Sequence, residues 1–410
     1  MAADAKQGGG GAAKVRNAVS TKRVMTVALP LALGIALIGS CEAGQRTPQL
    51  PRSAGPGSAT ESSGSGLCPS AIRPRFAPGN WPPGCWRPYA ATSPFNRALP
   101  PNPPLRRRWK RIVRGTLRRS KPQGFVVGHP EDNAGDYGHP IYYARPTDPL
   151  YTVHCTRWTS VCELEGMRVR IPPEARPASG SDRHMAVIDQ AGGWEYDFWQ
   201  VRTVPLPATG GEVRISHGGR TRWGTADSDA LGTNATAAHF ALGAGVIRAE
   251  EWDAATSSGK PIRHALFIGV RCTAGYSVYP AAPDTTASVC RGRRKRAKAP
   301  PLGARFYLDM SGAQIDTLPV PTWKRPILKA MARYGMIVGD TGGNRHTSFG
   351  VSAESDTQYR AFGYRGRYSE LGRRWGVPTY KGAYVFDIAS GVHWRRRLRV
   401  VDPCVSRGTC

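Results

Sequence analysis

Apolar residues fall along this chain in short runs that alternate with polar positions and stop at Gly, Pro, Asp or Asn. A period of two with turn residues at regular intervals predicts β-strands. Strands are expected over 124–128, 140–144, 151–154, 167–171, 213–216, 265–271, 304–310 and 336–339, with a hairpin across 184–201. Two stretches carry helical spacing instead. Phe240, Val246, Ile247 and Trp252 recur on one stripe of 235–252, and Trp323, Ile327, Leu328, Met331 and Tyr334 do so over 323–334, where Gly335 reads as the stop. The expected fold is mostly β, a β-sandwich or jelly roll with one or two accessory helices.

The hairpin is the most informative stretch. With Gln190-Ala191-Gly192-Gly193 as its turn, Ile188 lies opposite Glu195 and Ala186 opposite Asp197, and side chains alternate between faces. One face then carries Met185, Val187, Tyr196 and Phe198. The other gathers His184, Glu195, Asp197 and Trp199 around the small Ala186. Read as chemistry, two carboxyls, an imidazole and an indole form a sugar-handling site. Read plainly, they form the wet face that antiparallel sheets usually have.

Composition and charge set the surroundings. The chain has 410 residues, 40 % of them hydrophobic, and its 35 Pro and 48 Gly argue against a helical bundle. A net charge of +28 implies attraction to polyanions such as acidic glycans and envelope polymers. The basic run 291–296 is expected to be a solvated loop in contact with such polymers, and without interleaved aromatics it points to no specific nucleic acid.

Lys14, Arg16, Lys22 and Arg23 precede the apolar run 24–38, which reads as the core of a signal peptide over 1–40, or alternatively as an uncleaved signal anchor. Ile38-Gly39-Ser40-Cys41 resembles a bacterial lipobox, which implies a lipid on Cys41 and tethering to the outer face of the cytoplasmic membrane. Residues 41–66, rich in Gly, Ser, Pro and Thr, read as a flexible tether. A single β-rich domain follows over 67–410, with a Pro/aromatic extension at its start and its core at about 90–375. Setting Cys41 aside, the nine cysteines leave Cys68, Cys85, Cys155, Cys162, Cys272, Cys290, Cys404 and Cys410 in four close-spaced couples. Such couples suit short-loop disulfides of an exported protein. Nearest-neighbour pairing is the simplest of the 105 connectivities open to eight cysteines. No C-x-x-C pair occurs, and no metal or cofactor is expected.

Three further positions enter on local grounds. Asp340 ends a strand and opens Asp340-Thr341-Gly342-Gly343, a place suited to the mouth of a site and equally to a turn. His264 begins a strand and is expected to hydrogen-bond Glu195 or Asp197. His139, before Pro140, and Asp182 are weaker members of the same set, as substrate-binding rather than catalytic groups.

Glu195-x-Asp197 resembles the Glu-x-Asp core of the laminarinase-like glycoside hydrolases, which are jelly rolls. Their second glutamate is replaced here by Trp199 or Gln200, so that resemblance implies a further carboxyl from Asp340 or Asp182. The combination of 181–189, 195–199, 263–267, 303–309 and 327–343 is similar to a largely uncharacterised family of secreted proteins from soil actinobacteria, which implies export and one domain but no reaction. The functional expectation is a glycoside hydrolase acting on extracellular or envelope polysaccharide. Glu195 and Asp197 would supply carboxyl chemistry, His184, His264 and Asp340 would assist, and Trp199 would stack on sugar. The alternatives are a polysaccharide lyase on acidic glycans and a non-catalytic glycan-binding protein.

Overall fold

The computed structural model describes residues 75–130, 135–224, 228–283, 287–342 and 349–410. The signal peptide, tether, Cys41 and Cys68 of the sequence reading lie outside them. The chain divides into units Met1–Gly64 and Ser65–Cys410, and everything below concerns the second.

Strand outweighs helix. The strands are β1 (Phe125–Val127), β2 (Ile141–Ala144), β3 (Leu150–Cys155), β4 (Arg168–Arg170), β5 (Met185–Asp189), β6 (Trp194–Trp199), β7 (Gly211–Ile215), β8 (His217–Arg222), β9 (Leu266–Val270), β10 (Arg305–Leu308), β11 (Met336–Thr341), β12 (Thr379–Tyr380), β13 (Ala383–Phe386) and β14 (Leu398–Val400). Among the described residues they form four small sheets, ordered β2-β5-β6-β8, β4-β3-β7, β14-β10-β11-β9 and β1-β13-β12. Three of the pairs, β2/β5, β3/β7 and β9/β11, are parallel, so the pairing departs from the antiparallel order of a jelly roll.

The hairpin register is the expected one: Ile188 faces Glu195 and Ala186 faces Asp197. Asp189 holds its turn, accepting from the Ala191 and Gly192 N–H groups at 3.0 Å each. Met185, Val187, Tyr196 and Phe198 share an apolar core with Tyr151, Val153, Val213 and Ile215 of the β4-β3-β7 sheet. The opposite face is buried as well. Ala186 and Ile188 pack there with Phe76, Trp86, Tyr143, Trp223, Leu242 and Val246.

What covers that second face is the segment that the apolar spacing assigns to a helix over 235–252. Only Ala249–Ser258 is helical, and 235–248 is an irregular segment. Its apolar residues do not share one stripe. Phe240, Ile247 and Trp252 enter the largest core, while Leu242 and Val246 pack on the hairpin. Gly245, with φ of +73° and the Phe267 backbone nitrogen 2.7 Å from where a Cβ would sit, admits only glycine. The second expected helix forms as Lys324–Arg333, and Trp109–Arg119 and Arg367–Arg374 add two that the pattern does not announce.

Disulfides join Cys155 to Cys162, Cys272 to Cys290 and Cys404 to Cys410, the nearest-neighbour pairing, and Cys85 is also disulfide-bonded. Among the described residues no helix is long and apolar enough to cross a membrane.

Candidate functional site

Glu195 and Asp197 point to one side of β6 as expected, but neither has exposed surface. Glu195 accepts from the Tyr89 hydroxyl at 2.7 Å and from the Gly243 N–H at 2.9 Å. Asp197 accepts through Oδ2 from Asn234 Nδ2 at 2.6 Å and from the Leu242 N–H at 2.8 Å. Asp197 Oδ1 is buried with no donor. The two carboxyls also interact with each other through a side-chain hydrogen bond. Burial, and then the Glu195 charge, push the Asp197 carboxyl well above the usual range, while burial raises Glu195 against the donors it accepts from. Both carboxyls are pushed toward their neutral forms, Asp197 the further of the two.

Three other expected members, His184, His139 and Asp340, attach to the same irregular segment. His184 bonds to the Ala235 backbone and His139 Nδ1 to the Leu242 carbonyl at 2.8 Å. The two rings meet edge to face, with centroids 5.1 Å apart. Burial holds His139 down to about 3, helped by the neighbouring His184, and His184 down to about 4. Both are therefore neutral near pH 7. Half-buried Asp340 accepts from the Thr341 and Ala237 backbone, and burial pushes its carboxyl up to about 7. The Asp182 charge adds to that rise. Asn234, Ala235, Ala237, Leu242 and Gly243 are thus each held by one of the residues that sequence reasoning groups as a site.

That coincidence has a physical reason. Residues 235–248 form neither helix nor ladder, yet they are mostly buried, and buried backbone groups need partners. Glu195, Asp197, His139, His184 and Asp340 supply them. These side chains clamp a segment onto the sheet.

Two expectations are corrected. His264 does not reach Glu195 or Asp197; its Nε2 lies 2.8 Å from Glu251, which also pairs with Arg248 at 3.3 Å. Burial opposes the Glu251 charge, but His264 and then Arg248 outweigh it and hold the carboxyl down to about 2. Trp199 is half-buried with its ring already stacked on Trp158, at 5.7 Å and 14° between planes, so the half-exposed indole there is Trp158. Among the described residues no three His, Cys, Asp or Glu side chains converge as metal ligands.

Open clefts occur elsewhere. The larger, of about 670 Å³, is lined by Arg106, Arg107, Arg108, Arg293, Arg296 and Tyr276. The basic run becomes one wall of it, with Arg293–Arg296 as a turn of helix. Arg119 donates to the Lys298 carbonyl at 2.6 Å and the Cys272–Cys290 disulfide closes the loop before it, which brings this wall against Arg106–Arg108. Arg106 donates to the Tyr276 hydroxyl at 2.9 Å. Among the described residues none of these five guanidiniums enters an ion pair. The one carboxylate in the lining, Asp402, is engaged with the Cys404 N–H. The sequence pattern singles out the run 291–296 but neither Arg106–Arg108 nor their meeting, because nothing local marks a contact between segments so far apart.

Comparison with protein-family models, with curated proteins and with solved structures finds no match for this chain.

Proposed function

We propose that the protein is exported and binds acidic extracellular or cell-envelope polysaccharide, on a scaffold that pairs two sheets as a β-sandwich. The observation that carries this reading is the cleft in which five arginines stand without acidic partners. Like charges crowded together repel one another, so they do not serve stability. Lys110 and Arg111 extend the cluster into the first turn of the helix Trp109–Arg119, where positive charge also opposes the helix dipole. A polymer bearing regularly spaced carboxylates or phosphates relieves both costs, and guanidinium groups accept such anions in bidentate fashion.

An acidic glycan fits better than a nucleic acid. The disulfides favour an oxidising compartment outside the cytoplasm. The cleft offers one tyrosine rather than the succession of aromatics on which bases stack. Hydrolysis by Glu195 and Asp197 is less well supported than binding, because both carboxyls would have to flank a glycosidic bond and neither has exposed surface.

Retention on immobilised polygalacturonate, on neutral dextran and on single-stranded DNA tests the proposal. Saturable retention on the polyuronate, lost with added salt and absent on dextran, is the expected result. Equal retention on dextran, or retention on DNA alone, overturns it.

A further inference from the structure

A second cleft, of about 210 Å³, lies between the end of the segment after β1 and the residues on either side of β5's start. Its lining combines His129, Asp136, Arg176, Arg183 and Arg360 with the apolar surfaces of Pro130, Pro177, Ala178 and Val204. We propose that it is a compact anion site that takes one carboxylate- or phosphate-bearing sugar unit.

The first argument is an imidazole without a partner. His129 is 9 % exposed, and among the described residues neither of its ring nitrogens has a hydrogen-bond partner. A buried polar group in that state costs free energy, and in native proteins it usually awaits a water, ion or ligand. The second argument is the built charge around it. Arg183 is held by the Val201 carbonyl at 2.6 Å, and Arg360 is held by the His129 carbonyl and by Ser369 at 3.0 Å. Arg176 is exposed at the rim and enters no ion pair among the described residues.

Two carboxylates oppose this charge. Asp356 lies 3.6 Å from Arg360, and Asp136 lines the cleft. The Asp136 oxygens are already engaged by the Gly138 N–H at 2.8 Å, by the Ser355 hydroxyl and by the Thr357 hydroxyl at 3.3 Å. Three guanidiniums against one lining carboxylate leave the cleft positive. Its size suits one ring rather than a chain, so the site differs in kind from the open arginine groove. Apolar walls beside fixed cations and an imidazole match a sugar ring that carries a single anionic group.

Calorimetric titration with glucuronate, inorganic phosphate and glucose tests the site, using wild type, Arg176→Ala, Arg176→Lys and a groove variant, Arg106→Glu/Arg293→Glu. Saturable binding of glucuronate or phosphate with no response to glucose is expected, and the tighter of the two anions identifies the ligand chemistry. Arg176→Ala should weaken it about tenfold and Arg176→Lys by less, because a lysine keeps the charge but not the bidentate fork. The groove variant should bind the small anion as wild type does. Glucose binding equal to glucuronate, no binding of either anion, or an unchanged affinity in Arg176→Ala overturns the proposal. Because polymer retention is read on the groove and small-anion binding on this cleft, failure of one leaves the other standing.

Discussion

The segment at 234–243 and the arginine groove handle charge in opposite ways. Around the segment Glu195, Asp197, His139, His184 and Asp340 are each tied to a neighbour. In the groove, five guanidiniums line an open cleft without forming an ion pair among the described residues, and the one lining carboxylate, Asp402, is engaged by the Cys404 N–H. Burial forces the first arrangement, since an unpaired charge in the interior costs several kcal/mol. Water imposes no such demand at the surface, so a cluster left unpaired there has to be explained by something other than folding. Acidic residues and histidines that converge are scaffold in this molecule, and the open surplus of positive charge is where binding is expected.

Substitutions can break this contrast, and the largest effect belongs to the inside. Glu195→Ala strands the Tyr89 hydroxyl and the Gly243 N–H and leaves a cavity, so urea unfolding should show a loss of about 4 kcal/mol. An unchanged midpoint would mean that the segment is held by something else. The groove comes next. Arg106→Glu/Arg293→Glu should weaken polyuronate binding at least tenfold, or about 1.4 kcal/mol, while the unfolding midpoint stays where it is.

Asp197→Asn sharpens the inner half. An asparagine copies the protonated acid: its oxygen can accept from Leu242 and Asn234 while its amide donates to Glu195. The loss should therefore stay under about 1 kcal/mol, far below that of Glu195→Ala. Equal losses at the two positions would contradict the preference of the Asp197 carboxyl for its neutral form.

A pH slope at Asp340 sharpens the inner half further. Its folded pKa, raised to about 7, means that the native state binds the proton more tightly than the unfolded chain does. Its contribution is fully present below the unfolded value near 3.9 and is lost as pH rises through 7. Asp340→Asn should remove that part of the decline between pH 4 and 7. The two histidines act in the opposite sense. With folded values of about 3 and 4, His139 and His184 stabilise the native state above about 6.5, and that contribution is lost as pH falls.

Much of this was legible in the sequence. Turn residues around short apolar runs locate most of the strands, and the hairpin register follows from its turn and alternation. Of the residues grouped as a site, Glu195, Asp197, His139, His184 and Asp340 all hold the 234–243 segment, while His264 and Trp199 pair elsewhere. Their purpose was not legible, because it depends on 235–248. Apolar residues at helical spacing look the same whether they line one stripe or serve two separate cores. Only the three-dimensional split between Phe240 and Leu242 tells the cases apart. Strands β8, β12, β13 and β14 escape for a related reason. His217–Arg222 is polar and glycine-rich, and it is a strand because β6 lies beside it. The meeting of Arg106–Arg108 with Arg293–Arg296, and the unpaired His129, are tertiary facts with no local signature.

The most direct test sets the two regions against each other in one assay: polygalacturonate binding isotherms for wild type, Arg106→Glu/Arg293→Glu and Asp197→Asn at low and high salt. The prediction is salt-sensitive binding that the groove variant loses and Asp197→Asn keeps at wild-type strength. Binding abolished by Asp197→Asn in a folded protein, and untouched by reversing the groove charges, would contradict it.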